Sequence, residues 1–191
     1  SGHFKKTLDI MFIRPETATL DGMVSQYRRE VMGLSERSKP SFDEFIIPDK
    51  PSDLNLTDND IVLMPYANSI KLFDISFWET LAEKLISLGY DLYTNVKDDS
   101  ELPVKSTKAL TGDIASLVPV LKRCRKIITL RSGISDVLAF CKIPQTVIYT
   151  DINMFNEWDL KYISKDTDVE SICIFDDTDI SFATKKIIES I

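Results

Sequence analysis

The sequence has one histidine in 191 residues, His3, within a Ser-Gly-His start that resembles a cloning remnant. Without another imidazole, the chain excludes Ser-His-Asp and Cys-His catalysis and zinc sites built on histidine. Cysteine is scarce as well. Cys124, Cys141 and Cys173 show no CxxC spacing, and each lies in or beside an apolar run. They read as buried reduced thiols of a cytosolic protein. No apolar run approaches the roughly 20 residues of a membrane span. Residues 1–6 are polar and no secretory apolar segment follows, so the expected location is cytoplasmic. Positive charge is in deficit: 23 Lys+Arg stand against 30 Asp+Glu, a net charge of -7. That balance argues against nucleic-acid partners, which require clustered cations. GxGxxG and GxxxxGK[ST] are both absent. Classical dinucleotide binding and P-loop hydrolysis are therefore disfavoured.

What is present is a globular composition, 43% hydrophobic and 28% charged. The length suits one domain, with or without a short appendage, and needs no disulfide or metal to staple it. Residues 1–58 differ from the rest and read as an N-terminal appendage and linker. Residues 8–13 (LDIMFI) suggest a strand. Residues 19–34 suggest a helix, with Leu20, Met23, Val24, Tyr27, Val31 and Leu34 at three- and four-residue steps. Residues 35–60 are rich in Pro, Ser and Asp and read as a linker, with one short strand at 45–47.

From residue 59 the pattern becomes regular. Strands are expected at 60–64, 90–94, 109–110, 126–130, 145–149 and 171–175. Helices are expected at 76–88, 114–123, 134–141 and 179–191, the last capped by Asp177 or Thr178. Residues 151–168 read as irregular. Strands alternating with helices imply βαβ units. Continuous apolar strands imply burial on both faces. The expected fold is α/β: a three-layer, Rossmann-like domain at 59–191 with a mostly parallel sheet.

In such a sheet, ligands bind beyond the carboxyl ends of the strands. That singles out Pro65, Tyr66, Ala67, Ser69 and Lys71 after the first strand. Asn95 and Lys97 follow the second, Thr111, Gly112 and Asp113 precede a helix, and Arg131, Ser132, Gly133 and Asp136 follow the strand at 126–130. The last group is the sharpest. A strand runs through Ser132-Gly133 straight into a helix, where free N–H groups and the positive dipole end suit an anion. Arg131 and the Ser132 hydroxyl add candidate charge-assisted contacts. The competing reading is that Ser132 only caps the helix and Gly133 only makes a tight turn. The aspartates at 98, 99, 176, 177 and 179 read as solvated loop and cap residues rather than metal ligands, so no metal or other cofactor is expected. Trp158 and Tyr162 could flank a sugar or base, against the plainer reading that they pack an irregular loop.

These residues resemble the C-terminal, donor-binding domain of the GT-B-fold glycosyltransferases, nearest to the heptosyltransferase type. The carriers are the strand at 61–64 with Pro65-Tyr66-Ala67-Asn68-Ser69, then Lys71-Leu72-Phe73-Asp74 with Trp78 four residues on. Leu110-Thr111-Gly112-Asp113 and Arg131-Ser132-Gly133 with Asp136 complete the series. The resemblance implies that Lys71 and the Ser132-Gly133 turn hold the diphosphate of a nucleotide sugar, and that Thr111, Gly112 and Asp113 lie near its base and ribose. Five positions depart from the family pattern: Arg131 replaces an acid, Asp136 replaces a histidine, and Leu72, Phe73 and Asp74 stand where the family has Arg-Trp-Pro. The 27–34 segment, with Arg28-Arg29, resembles the helix that joins the two halves of such enzymes.

The expected function is donor binding for a glycosyltransferase of polysaccharide or cell-surface glycan synthesis. The donor is a nucleoside-diphosphate sugar. A glycan or lipid-linked acceptor and the catalytic base would come from an N-terminal domain or partner chain, so this half is expected to be inactive alone. Peripheral membrane association at the inner face would also come through that other half. The alternative is a non-catalytic nucleotide- or anion-binding or protein-interaction module of the same fold. A phosphoacceptor receiver fits poorly, because the strand at 60–64 ends in Met64-Pro65 rather than in acids.

Overall fold

The computed structural model describes residues 54–67, 70, 73–98, 100–157, 159–160, 168–174 and 180–191. The strands expected at 8–13 and 45–47, the helix at 19–34, its resemblance at 27–34 and the cap at Asp177 or Thr178 lie outside them. So do the candidates Ser69, Lys71, Trp158 and Tyr162.

Six strands form one all-parallel sheet: β1 (Asp60–Met64), β2 (Asp91–Asn95), β3 (Lys108–Leu110), β4 (Lys126–Leu130), β5 (Gln145–Tyr149) and β6 (Val169–Cys173). Their spatial order is β3-β2-β1-β4-β5-β6. The helices are α1 (Ile75–Ser87), α2 (Ile114–Leu121), α3 (Gly133–Phe140), α4 (Ile152–Glu157) and α5 (Ile180–Glu189). In the register, Val62 faces Tyr93 on β2 and Ile127 on β4.

Strand burial follows position in the sheet. β1, β4 and β5 are buried at all five positions, whereas the more lateral β2 alternates. Side chains of a strand point alternately to its two faces. Ile61 and Leu63 accordingly join α1 and α5 residues in one core layer, with Phe77, Trp78, Leu81, Leu85 and Ile187. Val62 and Met64 join α2 and α3 residues in the other, with Leu117, Leu121 and Leu138. The result is the expected three-layer sandwich. β4 begins with a buried lysine because Lys126 spans to the closing segment. Its ammonium donates to the Ser190 carbonyl and pairs with Asp168 at 3.5 Å.

The helix ends have local causes. Asp74 caps α1 by accepting the Ser76 N–H at 2.9 Å, and Asp113 caps α2 by accepting the Ser116 N–H at 2.8 Å. α1 ends in a Schellman motif: the Gly89 N–H donates to the Ile86 carbonyl (2.9 Å) and the Tyr90 N–H to the Leu85 carbonyl (3.3 Å). Gly89 takes the left-handed conformation this requires, with φ +95°. α3 ends in the same motif, with Lys142 in the glycine position at φ 56°.

Several boundaries shift by a residue or two from expectation, and three of the differences have a local cause. Residues 152–157, expected to be irregular, form α4. Asp151 starts it by accepting the Asn153 and Met154 N–H groups at 2.7 and 3.2 Å. β6 lies two residues earlier than expected, because pairing sets Val169 opposite Gln145 and Cys173 opposite Tyr149. α2 stops at Leu121 rather than at 123. Pro119, which cannot donate a helical hydrogen bond, lies in its last turn.

Candidate functional site

β1 and β4 are neighbours, but their connections leave to opposite faces. The chain after β1 enters α1 in one core layer, and the chain after β4 enters α3 in the other. Such a divergence opens a crevice beyond the carboxyl ends of the two strands. A cleft of about 280 Å³ lies there, lined by Tyr66, Ala67, Asn95, Lys97, Glu101, Ser132, Gly133 and Ile134.

Each wall has its own chemistry. Tyr66 donates its hydroxyl proton to the Leu102 carbonyl and so ties the loop after β1 to the loop after β2. Burial, and then the nearby Glu101 carboxylate, push its phenol above the ordinary value of 10.0. Asn95 is held by its amide, which donates to the Leu110 carbonyl at 3.1 Å. The Lys97 N–H donates to the Glu101 carboxylate at 2.7 Å. Among the described lining residues, Lys97 brings the cation and Glu101 the carboxylate.

The third wall is the start of α3. Ser132 is its N-cap residue and Gly133 its first helical residue. The Gly133 and Ile134 N–H groups therefore have no acceptor within the helix. A methyl group built on Gly133 would meet no atom within 4 Å, so the fold leaves that spot open. The Ser135 hydroxyl accepts the Ser132 N–H at 3.1 Å and donates to the Ser132 carbonyl at 2.6 Å. The Ser135 N–H also goes to that carbonyl, at 3.0 Å. Although the turn has the outline of a capping box, the Ser132 hydroxyl is buried and makes no hydrogen bond among the described residues.

Six residues picked out from the sequence thus come together: Tyr66, Ala67, Asn95, Lys97, Ser132 and Gly133. Others go elsewhere. Pro65 is buried at the end of β1. Thr111 and Gly112 are exposed, Asp113 serves as the α2 cap, and none of the three lines the cleft. Arg131 and Asp136 do not line it either. Arg131 is 7% exposed, and its guanidinium makes two contacts of 2.9 Å with the two Asp136 carboxylate oxygens. It also donates to the Ser132 carbonyl (3.0 Å) and the Ser135 hydroxyl (3.2 Å). Two lining residues had not been singled out in the sequence. Ile134 adjoins the Ser-Gly turn, and that proximity was its one available signal. Glu101 lies in a polar loop with no distinguishing pattern, and only the Tyr66 and Lys97 contacts bring it to the cleft.

No protein-family model and no curated protein sequence matches this chain. Solved structures do. E. coli heptosyltransferase WaaC with ADP superposes with a TM-score of 0.60 at 13% identity, covering 90% of this chain and 56% of that one. The same enzyme with ADP-2-deoxy-2-fluoro heptose gives 0.56 at 12% identity, with the same coverage. The chain has the fold of the GT-B glycosyltransferases. It spans 56% of the length of the heptosyltransferase it matches. The glycosyltransferase SnogD from Streptomyces nogalater also matches, at a TM-score of 0.42 over 81% of this chain and 43% of that one, with 13% identity. Among the described residues of this GT-B-like domain, no helix is long and apolar enough to cross a membrane.

Proposed function

We propose that this chain is the donor-binding half of a glycosyltransferase, and that a nucleoside-diphosphate sugar occupies the cleft between β1 and β4. One observation carries the reading: the open Gly133 position at a helix start, beside the unpartnered Ser132 hydroxyl, within a crevice at the point where the chain changes face. Anions settle at such helix starts because N–H groups and the dipole converge there. During transfer the anomeric carbon–oxygen bond breaks and negative charge develops on the departing diphosphate. The Ser132 hydroxyl, the Gly133 and Ile134 N–H groups and the Lys97 ammonium would stabilise that charge. Glu101 and Asn95, across the cleft, offer acceptors for ligand hydroxyls. Lys71 takes its place beside the diphosphate from the resemblance alone.

The acceptor, the catalytic base and the role in polysaccharide or cell-surface glycan synthesis belong to the same proposal, with the other half docking over the cleft. Exposed apolar residues at helix starts support that docking: Ile75 on α1, Ile114 on α2, Ile152 on α4, and Ile180 and Phe182 on α5. In a parallel sheet these starts share the edge of the strand carboxyl ends, where the cleft opens.

Isothermal titration with UDP, ADP, GDP and CMP tests the proposal. Saturable binding of one nucleotide, weakened by Ser132→Ala and by Lys71→Ala, is the expected result. Failure of all four to bind both this chain and a chain carrying the acceptor half would sink it and leave an interaction module.

A further inference from the structure

The turn at the cleft is closed in an unusual way. An N-cap serine ordinarily closes its helix with its own hydroxyl, which accepts an N–H from the first turn. Here the Ser132 carbonyl receives three donors instead: the Ser135 N–H, the Ser135 hydroxyl and the Arg131 guanidinium. The guanidinium also reaches the Ser135 hydroxyl, and both oxygens of Asp136 hold it in place. Its planar fork matches the carboxylate, which fixes its orientation as well as its position. With the turn also closed from behind, the Ser132 hydroxyl, which faces the Ser135 N–H in capping-box outline without a hydrogen bond to it, is not what holds the turn. A buried hydroxyl without a partner is unfavourable in a free protein. It gains an acceptor when a ligand oxygen enters the cleft.

We infer that Arg131 and Asp136 form a positioning pair, which holds the Ser132–Gly133 turn preorganised so that the Ser132 hydroxyl and the first N–H groups of α3 stay available to a phosphate oxygen. The inference rests on the cleft being a diphosphate site. It gives the buried arginine a role behind the anion rather than on it. Arg131 contributes no direct contact to the ligand, and its exchange for another cation does not preserve the site. Preorganisation raises affinity by removing the cost of ordering the turn at binding.

The test uses Asp136→Asn, Asp136→Glu, Arg131→Lys and Ser135→Ala in the full chain. Two readouts are amide hydrogen exchange without ligand and titration with the nucleoside diphosphates and inorganic pyrophosphate. In Asp136→Asn, the Ser132 and Ser135 amides should exchange about tenfold faster while the Ile128 amide in β4 keeps its protection. Diphosphate affinity should fall about tenfold, the effect of one charge-assisted hydrogen bond. Arg131→Lys should behave likewise, because an ammonium cannot serve two carboxylate oxygens, a carbonyl and a hydroxyl in one plane. Asp136→Glu, which keeps the carboxylate, should recover most of the affinity. Ser135→Ala leaves the ion pair intact but removes the hydroxyl at the centre, and should show the same loss if Asp136→Asn proves too unstable to study. Unchanged exchange at Ser132 and Ser135, or equal loss of protection at Ile128, overturns the inference. So does undiminished affinity in a chain whose turn exchanges faster. If neither the unsubstituted chain nor a chain carrying the acceptor half binds a diphosphate, the donor-site reading fails, and the exchange rates alone decide whether the pair holds the turn.

Discussion

Gly133→Ala separates what the fold requires from what the cleft requires. Gly133 opens α3, is exposed, and is not among the glycines with positive φ, which are Gly89 and Gly112. A methyl group there meets nothing within 4 Å. Alanine also loses less backbone freedom on folding than glycine and favours the helix. The substitution should therefore stabilise the chain by about 0.5–1 kcal/mol and raise Tm by about 2–3 °C. The same methyl would stand where a phosphate oxygen must approach the N–H groups of the turn. Diphosphate affinity should fall at least about tenfold, or ~1.4 kcal/mol. Stability and binding thus move in opposite directions, which a general packing defect cannot produce. Urea unfolding and titration on one preparation measure both. A loss of stability would refute the account of the turn, and unchanged affinity would place the ligand elsewhere. Gly112→Ala is the contrast. Its methyl would sit 3.2 Å from Leu117 Cγ and Cδ2, so about 1 kcal/mol of destabilisation is expected, without a direct effect on the cleft.

Other expectations concern the two helix ends, the alkaline limit and the thiols. Lys142→Gly should stabilise by about 0.5–1 kcal/mol by relieving the left-handed residue after α3, whereas Gly89→Ala should cost about 1–2 kcal/mol; denaturant midpoints compare them directly. Burial holds the Tyr149 phenol up at about 12 against an ordinary 10.0, and the Cys124 thiol up at about 12 against an ordinary 9.0. The unfolded chain releases these protons first, so their contribution is complete below pH 9 and is lost between about pH 9 and 12. Urea midpoints that stay level from pH 8 to 11 would contradict this. Tyr149→Phe should flatten the upper part of that decline. It should also cost about 1–3 kcal/mol at neutral pH, because the buried Leu160 N–H loses its 2.9 Å acceptor. Cys124, whose thiol donates to the Leu121 carbonyl, should react with a disulfide reagent at pH 8 only after unfolding, as mass mapping of the labelled cysteines would show.

Much of the fold was legible because burial leaves a direct trace in composition. IVLM, IITL and QTVIY are continuous uncharged runs, the first two each preceded by one charged residue, and all three strands lie where those runs predict. The Asp113 cap was equally plain, since its side chain acts within three residues of itself. α4 escaped because a six-residue helix carries too little periodicity to register, even with Asp151 before it. The slip of β6 reflects a strand whose ends are set by its pairing with β5 rather than by its own hydrophobic run.

The sequence by itself determined the class of fold, the loops at the carboxyl ends of the strands and the helix start after β4, because these depend on local periodicity and nearest neighbours. Tertiary structure alone decided which of those loops meet. Tyr66 and Ser132 share a cleft because β4 lies beside β1, skipping β2 and β3 in chain order, and no local pattern encodes that adjacency. It also decided the place of Arg131. A cation next to a serine and a glycine suggests an anion in front of it, but the closing of α3 puts the Asp136 carboxylate within 2.9 Å, and that nearer partner takes the charge.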